Sequence, residues 1–378
     1  MTRPPLLLHA FSSFAVGGAQ VRFAAIVNRY PQAWRHAIVA MDGNLECRER
    51  LSPDLEVSFP AIDIRKGDTL GNARRFRRVL RELRPHALVT GNWGAIEWAI
   101  ANAWPLVRHI HTEDGFGPDE HDRQLPRRVL TRRLVLRRAT VVLPSRTLWR
   151  IATEIWRLPP ARLRYIPNGI DLARFATPDA ATNREVPVIG CVAALRAEKN
   201  LARLIRAFRL VTEKMPARLV IVGDGPERGA LEVLAGSLGL GARVQFTGHV
   251  PEPQRLYAGF DVFALSSNTE QMPMTVLEAM AAALPVAATD VGDIKQMLAT
   301  ENHDFITPLD DAALAGALVA LLRQPALRHA VGAANRARAE RDYDQETMFR
   351  AWRALFDGGE RRAARAMHLG YDSGSASP

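Results

Sequence analysis

One block of the sequence carries two carboxylates at a spacing suited to binding a phosphorylated sugar. In ALSSNTEQMPMTVLEAMAAALPVAATDVG at 264–292, seven residues separate Glu270 from Glu278, and TVLEAMAAA indicates a helix after a tight loop. The first amides of such a helix lack partners and lie at its positive dipole end, which favours an anion such as a diphosphate. The carboxylate inside the helix can accept two ribose hydroxyls, and the one before it can hold sugar hydroxyls. An isolated pair of this kind is more often two exposed surface glutamates, so the setting decides.

The elements that must position this block follow a regular alternation. Apolar strand-like runs alternate with helix-like segments in both halves of the chain, a pattern that predicts parallel sheets covered by helices. We expect strands in the first half at 6–9, 36–41, 87–90, 106–111 and 140–144, and in the second at 188–193, 217–222, 244–247, 262–265 and 285–288. The polar, aperiodic stretch 176–187 is expected to link the halves. The sequence therefore predicts an α/β fold built from repeated βα units.

Length and composition exclude several classes of protein. The chain has 378 residues, which favours two domains, and its 47% hydrophobic and 24% charged residues exclude a disordered or fibrous protein. No apolar run approaches the roughly 18 to 20 residues of a membrane-spanning helix. Met1–Ala19 does not resemble a signal peptide, so we expect a cytoplasmic protein. The two cysteines, Cys47 and Cys191, exclude a disulfide framework or a zinc cluster.

Positive charge is concentrated in the first half of the chain. Residues 1–176 carry 28 Lys and Arg against 16 Asp and Glu, a net charge of +12, whereas residues 177–378 carry 22 against 24. The predicted helix around 74–84 has one apolar stripe (Phe76, Val79, Leu80, Leu83) opposite six arginines (Arg74, Arg75, Arg77, Arg78, Arg81, Arg84). This basic helix favours docking on an anionic membrane surface, with arginines solvated beside acids such as Glu82 as the alternative. A second arginine-rich stretch, 127–138, shows no such segregation, and no basic stripe is interleaved with aromatics, so no nucleic-acid partner is expected.

Several motifs surround the two-glutamate block in a characteristic order. They are YIPNGIDLARF at 165–175, ALRAEKN at 194–200, LVIVGDGPERGAL at 219–231 and VQFTGHV at 244–250, with Gly17-Gly18-Ala19-Gln20 and VVLPSRT at 141–147 in the first half. In order and spacing they resemble the GT-B glycosyltransferases of the family-4 type, also called glycosyl transferases group 1. The resemblance covers residues 6–356. It implies two Rossmann-like domains facing across a cleft, a nucleotide-sugar donor held mainly by the second, and transfer with retention of anomeric configuration.

The resemblance also implies a division of the chain. An N-terminal, acceptor-binding Rossmann-like domain would span 1–175, followed by the linker at 176–187. A C-terminal, nucleotide-sugar-binding Rossmann-like domain would span 188–340. A C-terminal helix at 341–358 would return to the first domain, and the tail at 359–378 would have a flexible end.

The resemblance assigns roles to individual residues. Glu278 would bind the ribose, Glu270 would bind the donor sugar, and Lys199 would neutralise the diphosphate. Further donor contacts would come from Gly17, Gly18, Arg196, Met272, Pro273, Met274 and Thr275. His111, at the end of a predicted strand, matches the family's active-site histidine, so that His111, Lys199 and Glu270 form the catalytic set. No metal and no cofactor are implied, and the UDP- or GDP-linked sugar is a substrate.

Two departures from the family pattern leave the donor open. Ala194 stands where an arginine is common, so that either Arg196 substitutes for it or Lys199 and the helix carry the diphosphate with less help. Gln-Met-Pro follows Glu270 where Gly-Phe-Pro is common, which changes the sugar pocket. On the acceptor side, Glu113 or Asp114 could orient a hydroxyl, with a solvated loop as the equal alternative.

Three sequence features suggest other functions. A dehydrogenase is suggested by the glycines of VGDGPERG at 222–229, but the next strand ends in Thr247-Gly248 without the acid that binds ribose. Asp342-Tyr343-Asp344 could hold a metal, yet its position between two helical patterns favours an N-cap at Asp344. Ala194 favours a non-catalytic sugar-nucleotide-binding protein, which the retained site residues argue against.

We therefore expect a retaining glycosyltransferase of cell-surface polysaccharide or glycolipid synthesis. Its acceptor would be lipid-linked or a polysaccharide, and the enzyme would lie peripherally on the cytoplasmic face of the membrane. A transferase with a soluble acceptor is the alternative.

Overall fold

The computed structural model describes residues 3–116, 120, 124–175 and 185–359. The chain forms two compact units: the first comprises the residues up to Ile166 and those from Glu346 onward, and the second comprises Pro167–Gln345. The chain thus leaves the first unit earlier than residue 175, because Ile170 and Phe175 are buried in the core of the second unit. Of the expected linker, residues 176–184 lie outside the described residues, as does the tail from residue 360.

The first unit contains a seven-stranded sheet in which all neighbouring strands are parallel. Its strands are β1 (Leu6–Phe11), β2 (Arg35–Ala40), β3 (Val57–Ser58), β4 (Ala87–Gly91), β5 (Arg108–Thr112), β6 (Thr140–Leu143) and β7 (Leu163–Tyr165), in the order β3-β2-β1-β4-β5-β6-β7. The chain order reverses between β1 and β4, so a crevice forms at the carboxyl ends of these two strands.

Helices cover both faces of the first sheet. They are α1 (Gly18–Arg29), α2 (Thr69–Leu83), α3 (Ile96–Ala101), α4 (Pro126–Val135) and α5 (Arg146–Arg150), to which the C-terminal helix α12 (Gln345–Phe356) is added. On one face, side chains of α1 and α12 pack with β1, β4 and β5. On the other face, α2 and α3 share a buried cluster, as do α3, α4 and α5. The C-terminal helix therefore belongs to the core of the first unit, as expected.

The second unit contains a six-stranded parallel sheet. Its strands are β8 (Val188–Val192), β9 (Arg218–Val222), β10 (Val244–Gly248), β11 (Val262–Leu265), β12 (Val286–Thr289) and β13 (Ile306–Thr307), in the order β10-β9-β8-β11-β12-β13. Its helices are α6 (Leu201–Thr212), α7 (Arg228–Ser237), α8 (Met274–Ala281), α9 (Ile294–Met297), α10 (Asp311–Arg323) and α11 (Pro325–Asp342). Here the chain order reverses between β8 and β11, which places the second crevice at their carboxyl ends.

The α/β prediction with two Rossmann-like domains is confirmed. Each of the ten expected strands is present, with ends that differ by one or two residues. The sequence missed β3, β7 and β13, which have only two or three residues, too few to show a hydrophobic period. Among the described residues, every helix is too short or too polar to span a bilayer.

The basic helix is α2, and the structure corrects its expected pattern. Two of its six arginines are engaged within the first unit: Arg75 pairs with Asp68 at 3.0 Å, and Arg77 donates to the carbonyls of Ala101 and Trp104. The side chains of the other four (Arg74, Arg78, Arg81, Arg84) are exposed and make no hydrogen bond or ion pair in the described part of the chain. Leu83, expected in the apolar stripe, is also exposed, because it lies in the last turn of the helix.

Candidate functional site

Lys199 and Glu270 meet where the second sheet reverses its strand order. Lys199 lies in the loop after β8, and Glu270 lies in the loop after β11, the neighbouring strand. The Lys199 ammonium donates to Glu270 Oε1 at 2.5 Å, and the Ser267 hydroxyl donates to the same oxygen at 2.7 Å. The carboxylate is nearly buried, whereas the lysine side chain keeps about a quarter of its surface exposed. The structure therefore joins two of the expected site residues into one ion pair.

The two loops that carry this pair are tied together by hydrogen bonds. The Ser266 hydroxyl donates to the carbonyls of Lys199 and Asn200, at 3.1 and 3.0 Å. The backbone amide of Asn268 donates to the carbonyl of Glu198 at 2.8 Å. Since these bonds fix the loop backbones, Lys199 and Glu270 are held in register before any ligand binds.

A third loop, after β12, supports the backbone of Glu270. The Thr289 hydroxyl donates to the carbonyl of Ser267 at 2.6 Å. Gly292 adopts a positive φ of 59°, and a Cβ at this position would lie 2.1 Å from the Glu270 carbonyl oxygen. Only glycine fits this contact. The sequence analysis missed Ser267, Thr289 and Gly292, although all three stand within the 264–292 block.

The Gln-Met-Pro loop leads directly into α8. Met272 and Pro273 are buried, Met274 and Thr275 are half-buried, and no side chain caps the helix after Pro273. The side-chain amide of Asn168 donates to the carbonyl of Met272 at 3.2 Å. Asn168 thus supports the backbone of this loop. The first amides of α8 point out of the helix end and are available to an anion.

Glu278 lies one turn inside α8 and is held by a residue that the sequence analysis did not find. The hydroxyl of Tyr257 donates to Glu278 Oε2 at 2.5 Å. Burial raises the pKa of Glu278 above its usual value, while the Tyr257 hydrogen bond and the charge of Arg174 act in the opposite direction. Burial and the facing carboxylate raise the pKa of Tyr257 well above its usual value, so this hydroxyl remains a proton donor.

Ala194 and Arg196 occupy the exposed part of the loop after β8. The Arg196 side chain is exposed and has no hydrogen-bond or ion-pair partner among the described residues, so its guanidinium is free to contact a ligand. The glycines of VGDGPERG support this same loop. A Cβ on Gly223 would lie 1.9 Å from the Ala193 carbonyl oxygen, and one on Gly225 would lie 2.5 Å from that of Leu195. These glycines allow two loops to pack closely, which explains the motif without a dinucleotide.

In the first unit, a pocket forms at the carboxyl ends of β1, β4 and β5. Its lining includes Ser12, Asn92, Trp93, Asp114 and Arg128. Asp114 is paired with Arg22 of α1 at 2.7 Å, and its backbone amide donates to the side chain of Asn92 at 2.7 Å. Of the two acids proposed for the acceptor, Asp114 is therefore the one that reaches a pocket. The Gly17-Gly18 pair lies at the start of α1, where Gly17 is the N-cap and Gly18 has open space around it.

His111 and Glu113 lie inside the first unit, at the end of β5 and just after it. Both side chains have no exposed surface. His111 Nδ1 lies 2.8 Å from the Thr90 hydroxyl, and Nε2 lies 3.6 Å from Glu113 Oε2. Successive side chains of an extended chain point to opposite faces, so His111 and Glu113 turn inward whereas Asp114 reaches the pocket. Both side chains are thus enclosed within the first unit, and the roles expected for His111 and Glu113 stay predictions.

Glu113 belongs to a buried charge network. Its carboxylate accepts from Arg132 Nε at 3.3 Å, and Arg132 also donates to both oxygens of Glu120, at 3.1 and 3.0 Å. A buried charge is tolerated only when it is paired in this way. The network therefore stabilises the interior of the first unit.

Known protein families account for most of this chain. A model described as Glycosyltransferase Family 4 matches residues 16–174, and one described as Glycosyl transferases group 1 matches residues 186–324. The chain belongs to the family-4 glycosyltransferases. Both matches include expected site residues, Asp114 in the first and Lys199, Glu270 and Glu278 in the second.

Two curated relatives of this family-4 glycosyltransferase have phosphatidylinositol monomannoside or lipopolysaccharide in their names. The chain is 33% identical over 226 residues to the GDP-mannose-dependent alpha-(1-6)-phosphatidylinositol monomannoside mannosyltransferase of Mycolicibacterium smegmatis, covering 55% of this chain and 59% of the relative. It is 31% identical over 193 residues to the lipopolysaccharide core biosynthesis glycosyltransferase LpsD of Rhizobium meliloti, covering 50% and 55%. The alignments thus span about half the length of these curated relatives.

A solved structure supports the fold of the glycosyltransferase over nearly its whole length. Anabaena HepE, crystallised in complex with UDP and glucose, superposes with a TM-score of 0.78 and covers 94% of this chain and 100% of its own. At 19% sequence identity, this likeness shows the GT-B fold.

Metal ligands are not grouped in the described part of this glycosyltransferase: no three His, Cys, Asp or Glu side chains come together there. Asp344 directly precedes α12, and Asp342 pairs with Arg341 at 2.9 Å. The Asp-Tyr-Asp segment is therefore explained by helix termini and surface ion pairs.

Proposed function

We propose that this enzyme transfers a hexosyl group from a UDP- or GDP-linked sugar to a lipid-linked or polysaccharide acceptor, with retention of anomeric configuration. The observation that carries the proposal is the convergence of Lys199, Glu270 and the first turn of α8 at the crevice between β8 and β11. In open α/β sheets, ligands bind at such a reversal point. Relatives with GDP-mannose in their names and a structural neighbour with bound UDP support a nucleotide sugar as donor.

The donor would bind along this crevice from its nucleoside to its sugar. Glu278, held by Tyr257, accepts the ribose hydroxyls. The first amides of α8, beside Met274 and Thr275, receive the diphosphate, with Arg196 supplying the positive charge that Ala194 lacks. Glu270 accepts the hydroxyls of the sugar, against a pocket shaped by Met272 and Pro273. Contact of Gly17 and Gly18 with the diphosphate stays a prediction.

Lys199 would act on the leaving group. Cleavage of the glycosidic bond builds negative charge on the departing diphosphate and positive charge on the anomeric carbon. A fixed ammonium close to the diphosphate stabilises that charge more in the transition state than in the ground state. Binding of the donor exchanges the Lys199–Glu270 pair for two new contacts, ammonium to phosphate and carboxylate to sugar hydroxyl. The pair thus keeps both side chains neutralised while the site is empty.

No protein nucleophile is assigned in this scheme. The two glutamates contact ribose and sugar at opposite ends of the diphosphate, which distinguishes them from the carboxylate pair of a glycosidase. Retention follows if the acceptor attacks from the face that the diphosphate leaves, with a diphosphate oxygen taking the acceptor proton. This step needs neither a metal nor a cofactor.

The acceptor would bind in the first unit. Asp114 reaches the pocket there, and its pairing with Arg22 would orient the carboxylate toward an acceptor hydroxyl. The net charge of +12 in residues 1–176 and the names of the relatives favour an acceptor on an anionic membrane surface at the cytoplasmic face. A soluble acceptor is the second candidate, since two of the six α2 arginines are engaged within the unit.

A panel of nucleotide sugars tests the proposal. The full chain is incubated with UDP- and GDP-linked hexoses and with lipid extract or a soluble sugar, and the products are identified by mass spectrometry. We expect one nucleotide sugar to be consumed, with a gain of one hexose on a lipid-extractable or polymeric product. The anomeric configuration of that product, measured by NMR, checks retention. Glu301→Ala, an exposed glutamate elsewhere in the second unit, serves as the control for Glu270→Ala.

A further inference from the structure

Helix α4 buries a charged side chain and exposes apolar ones, the reverse of an ordinary surface helix. It buries Arg132, whose side chain is 1% exposed, whereas Leu130 and Leu134 are 55% and 66% exposed. Ion pairs with Glu113 and Glu120 stabilise the buried guanidinium. Aromatic rings around it add to this, including that of Trp156, whose centre lies 5.0 Å from the guanidinium carbon. This arrangement explains why the sequence of the helix showed no segregation of charge. It also leaves two leucines, one turn apart, facing away from the core.

An exposed tryptophan lies on the same side of the first unit. Trp104, in the turn after α3, is 73% exposed. Arg77 of α2 donates to its carbonyl at 3.0 Å, and the guanidinium of Arg138, just after α4, lies 4.7 Å from its ring centre. Because α3 contacts both α2 and α4, all three helices lie side by side on this side of the sheet. We call Trp104, Leu130 and Leu134 the apolar patch.

Arginines without partners flank the apolar patch on both sides. On α2 they are Arg74, Arg78 and Arg81, and on or just after α4 they are Arg133 and Arg137; all are exposed and form no ion pair in the described ranges. Among the described residues of α2 and α3 and just before α2, two acids have partners of their own. Asp68 is already paired with Arg75, and Glu97 accepts from Thr69 and Asn72. Glu82 of α2 is the exposed acid nearest in sequence.

We propose that this side of the first unit docks on a bilayer containing anionic lipid, with Leu130, Leu134 and Trp104 entering the boundary between headgroups and acyl chains. This rests on the proposed membrane-bound acceptor and specifies the surface and the side chains that reach the lipid. Charge complementarity selects the occupant: the flanking arginines attract lipid phosphates, while tryptophan and leucine gain free energy at the boundary. A long arginine side chain can lie along the surface and keep its charged end at the phosphates.

A fluorescent label at one leucine tests the depth of insertion. Cys47 and Cys191 are fully buried, so Leu134→Cys provides the reactive thiol for an environment-sensitive dye. Val233→Cys is the matched control, an aliphatic side chain of α7 in the second unit that is 73% exposed. On vesicles of phosphatidylcholine with 30–40% phosphatidylglycerol (about a third anionic lipid), the dye at 134 should shift to shorter wavelength and be quenched by lipids brominated in their acyl chains. The dye at 233 should not change.

Substitution of the leucines, together with the dye experiment, distinguishes a wrong docking surface from a wrong membrane-bound function. The variant Leu130→Asn/Leu134→Asn should partition into these vesicles at least about tenfold more weakly in co-sedimentation, because two apolar side chains no longer leave water. If the unmodified chain sediments with vesicles but the dye at 134 does not respond, this surface is wrong and the membrane-bound function stands. If the chain sediments with no vesicle, both fail, while donor consumption still tests the glycosyltransferase proposal. If the double variant instead lowers the mass of the protein measured by light scattering, a second copy covers the patch and lipid docking is wrong.

Discussion

The Tyr257 hydroxyl donates a 2.5 Å hydrogen bond to Oε2 of Glu278, across 21 residues of sequence. Tyr257 is fully buried, and its ring lies against Phe175, Phe260 and Phe263. The carboxylate is thereby fixed by an aromatic cluster that itself cannot move without disturbing the core. Tyr257 positions the group that we assign to the donor ribose.

Removal of the Tyr257 hydroxyl should weaken donor binding without slowing the chemical step. In Tyr257→Phe we expect the KM for the nucleotide sugar to rise about tenfold, the scale of one hydrogen bond to a charged group, with kcat nearly unchanged. Loss of the bond also raises the pKa of Glu278 further, so donor affinity should start to fall at a higher pH on acidification than in the unmodified enzyme. Tyr343→Phe, another buried tyrosine of the same core, is the control. An identical pH profile for both variants would exclude the positioning role.

The ionised side chain of Glu278 should lower the stability of the fold, although we assign it a role in donor binding. Burial raises its pKa in the folded state, so the ionised carboxylate destabilises the fold above that pKa. Glu278→Gln should therefore raise the melting temperature near pH 8 by about 2–4 °C, the shift that roughly 1 kcal/mol produces in a domain of this size. The gain should shrink as the pH falls, because the carboxylate of the unmodified protein then becomes neutral. Differential scanning calorimetry at several pH values measures it, and a gain that grows on acidification would contradict the argument.

Lys199→Ala should reduce turnover about 100-fold, the typical effect of losing one preorganised group that stabilises developing charge. Lys214→Ala, an exposed lysine at the end of α6, should have no effect. Lys199→Arg should retain part of the activity because the charge remains. Steady-state release of the nucleoside diphosphate measures all three. Equal rates in the two alanine variants would mean that Lys199 does not act on the leaving group.

His111 should act on stability rather than on turnover. His111→Ala removes a buried side chain and its contact with the Thr90 hydroxyl, so the free energy of unfolding of the first unit should fall by about 2–4 kcal/mol. Turnover per folded molecule should change less than about threefold. Thr90→Val, which removes only the hydroxyl, should show a smaller loss of stability. A stable His111→Ala protein with strongly reduced kcat would instead return this residue to the catalytic set.

Chelation should leave turnover intact. The proposed diphosphate contacts are Lys199, Arg196 and the amides of α8, and the described residues contain no group of three metal-ligating side chains. Activity measured in EDTA should equal activity with added magnesium or manganese. A rate restored only by the metal would identify a site supplied by substrate or by residues outside those described.

The sequence allowed the residues proposed for the donor to be grouped more readily than those proposed for the acceptor, for a physical reason. Lys199 and Glu270 stand in loops after long central strands, whose apolar runs are easy to find, and the strand reversal then brings them together. Tyr257 lies in a short helical turn between strands and carries no motif, so its bond to Glu278 could not be predicted. The role of His111 was assigned by resemblance. Whether its side chain is buried depends on which face of β5 it occupies, and a shift of one residue inverts that face. The α4 leucines were missed because a buried, paired arginine reverses the usual pattern.

The first unit is built from two segments that lie on either side of the second unit in the sequence, and this affects how the protein is made. Helix α12 contributes Met348, Phe349 and Trp352 to the same buried cluster as Leu7 and Val89. Arg108 also donates to the carbonyls of Leu355 and Phe356. During synthesis, the first unit therefore waits for α12, which is translated after the second unit. The second unit, closed by the Ile170–Asp344 bridge, has all its described strands and helices once α11 has left the ribosome. A premature stop after Asp344 would consequently damage the half of the protein that was made first.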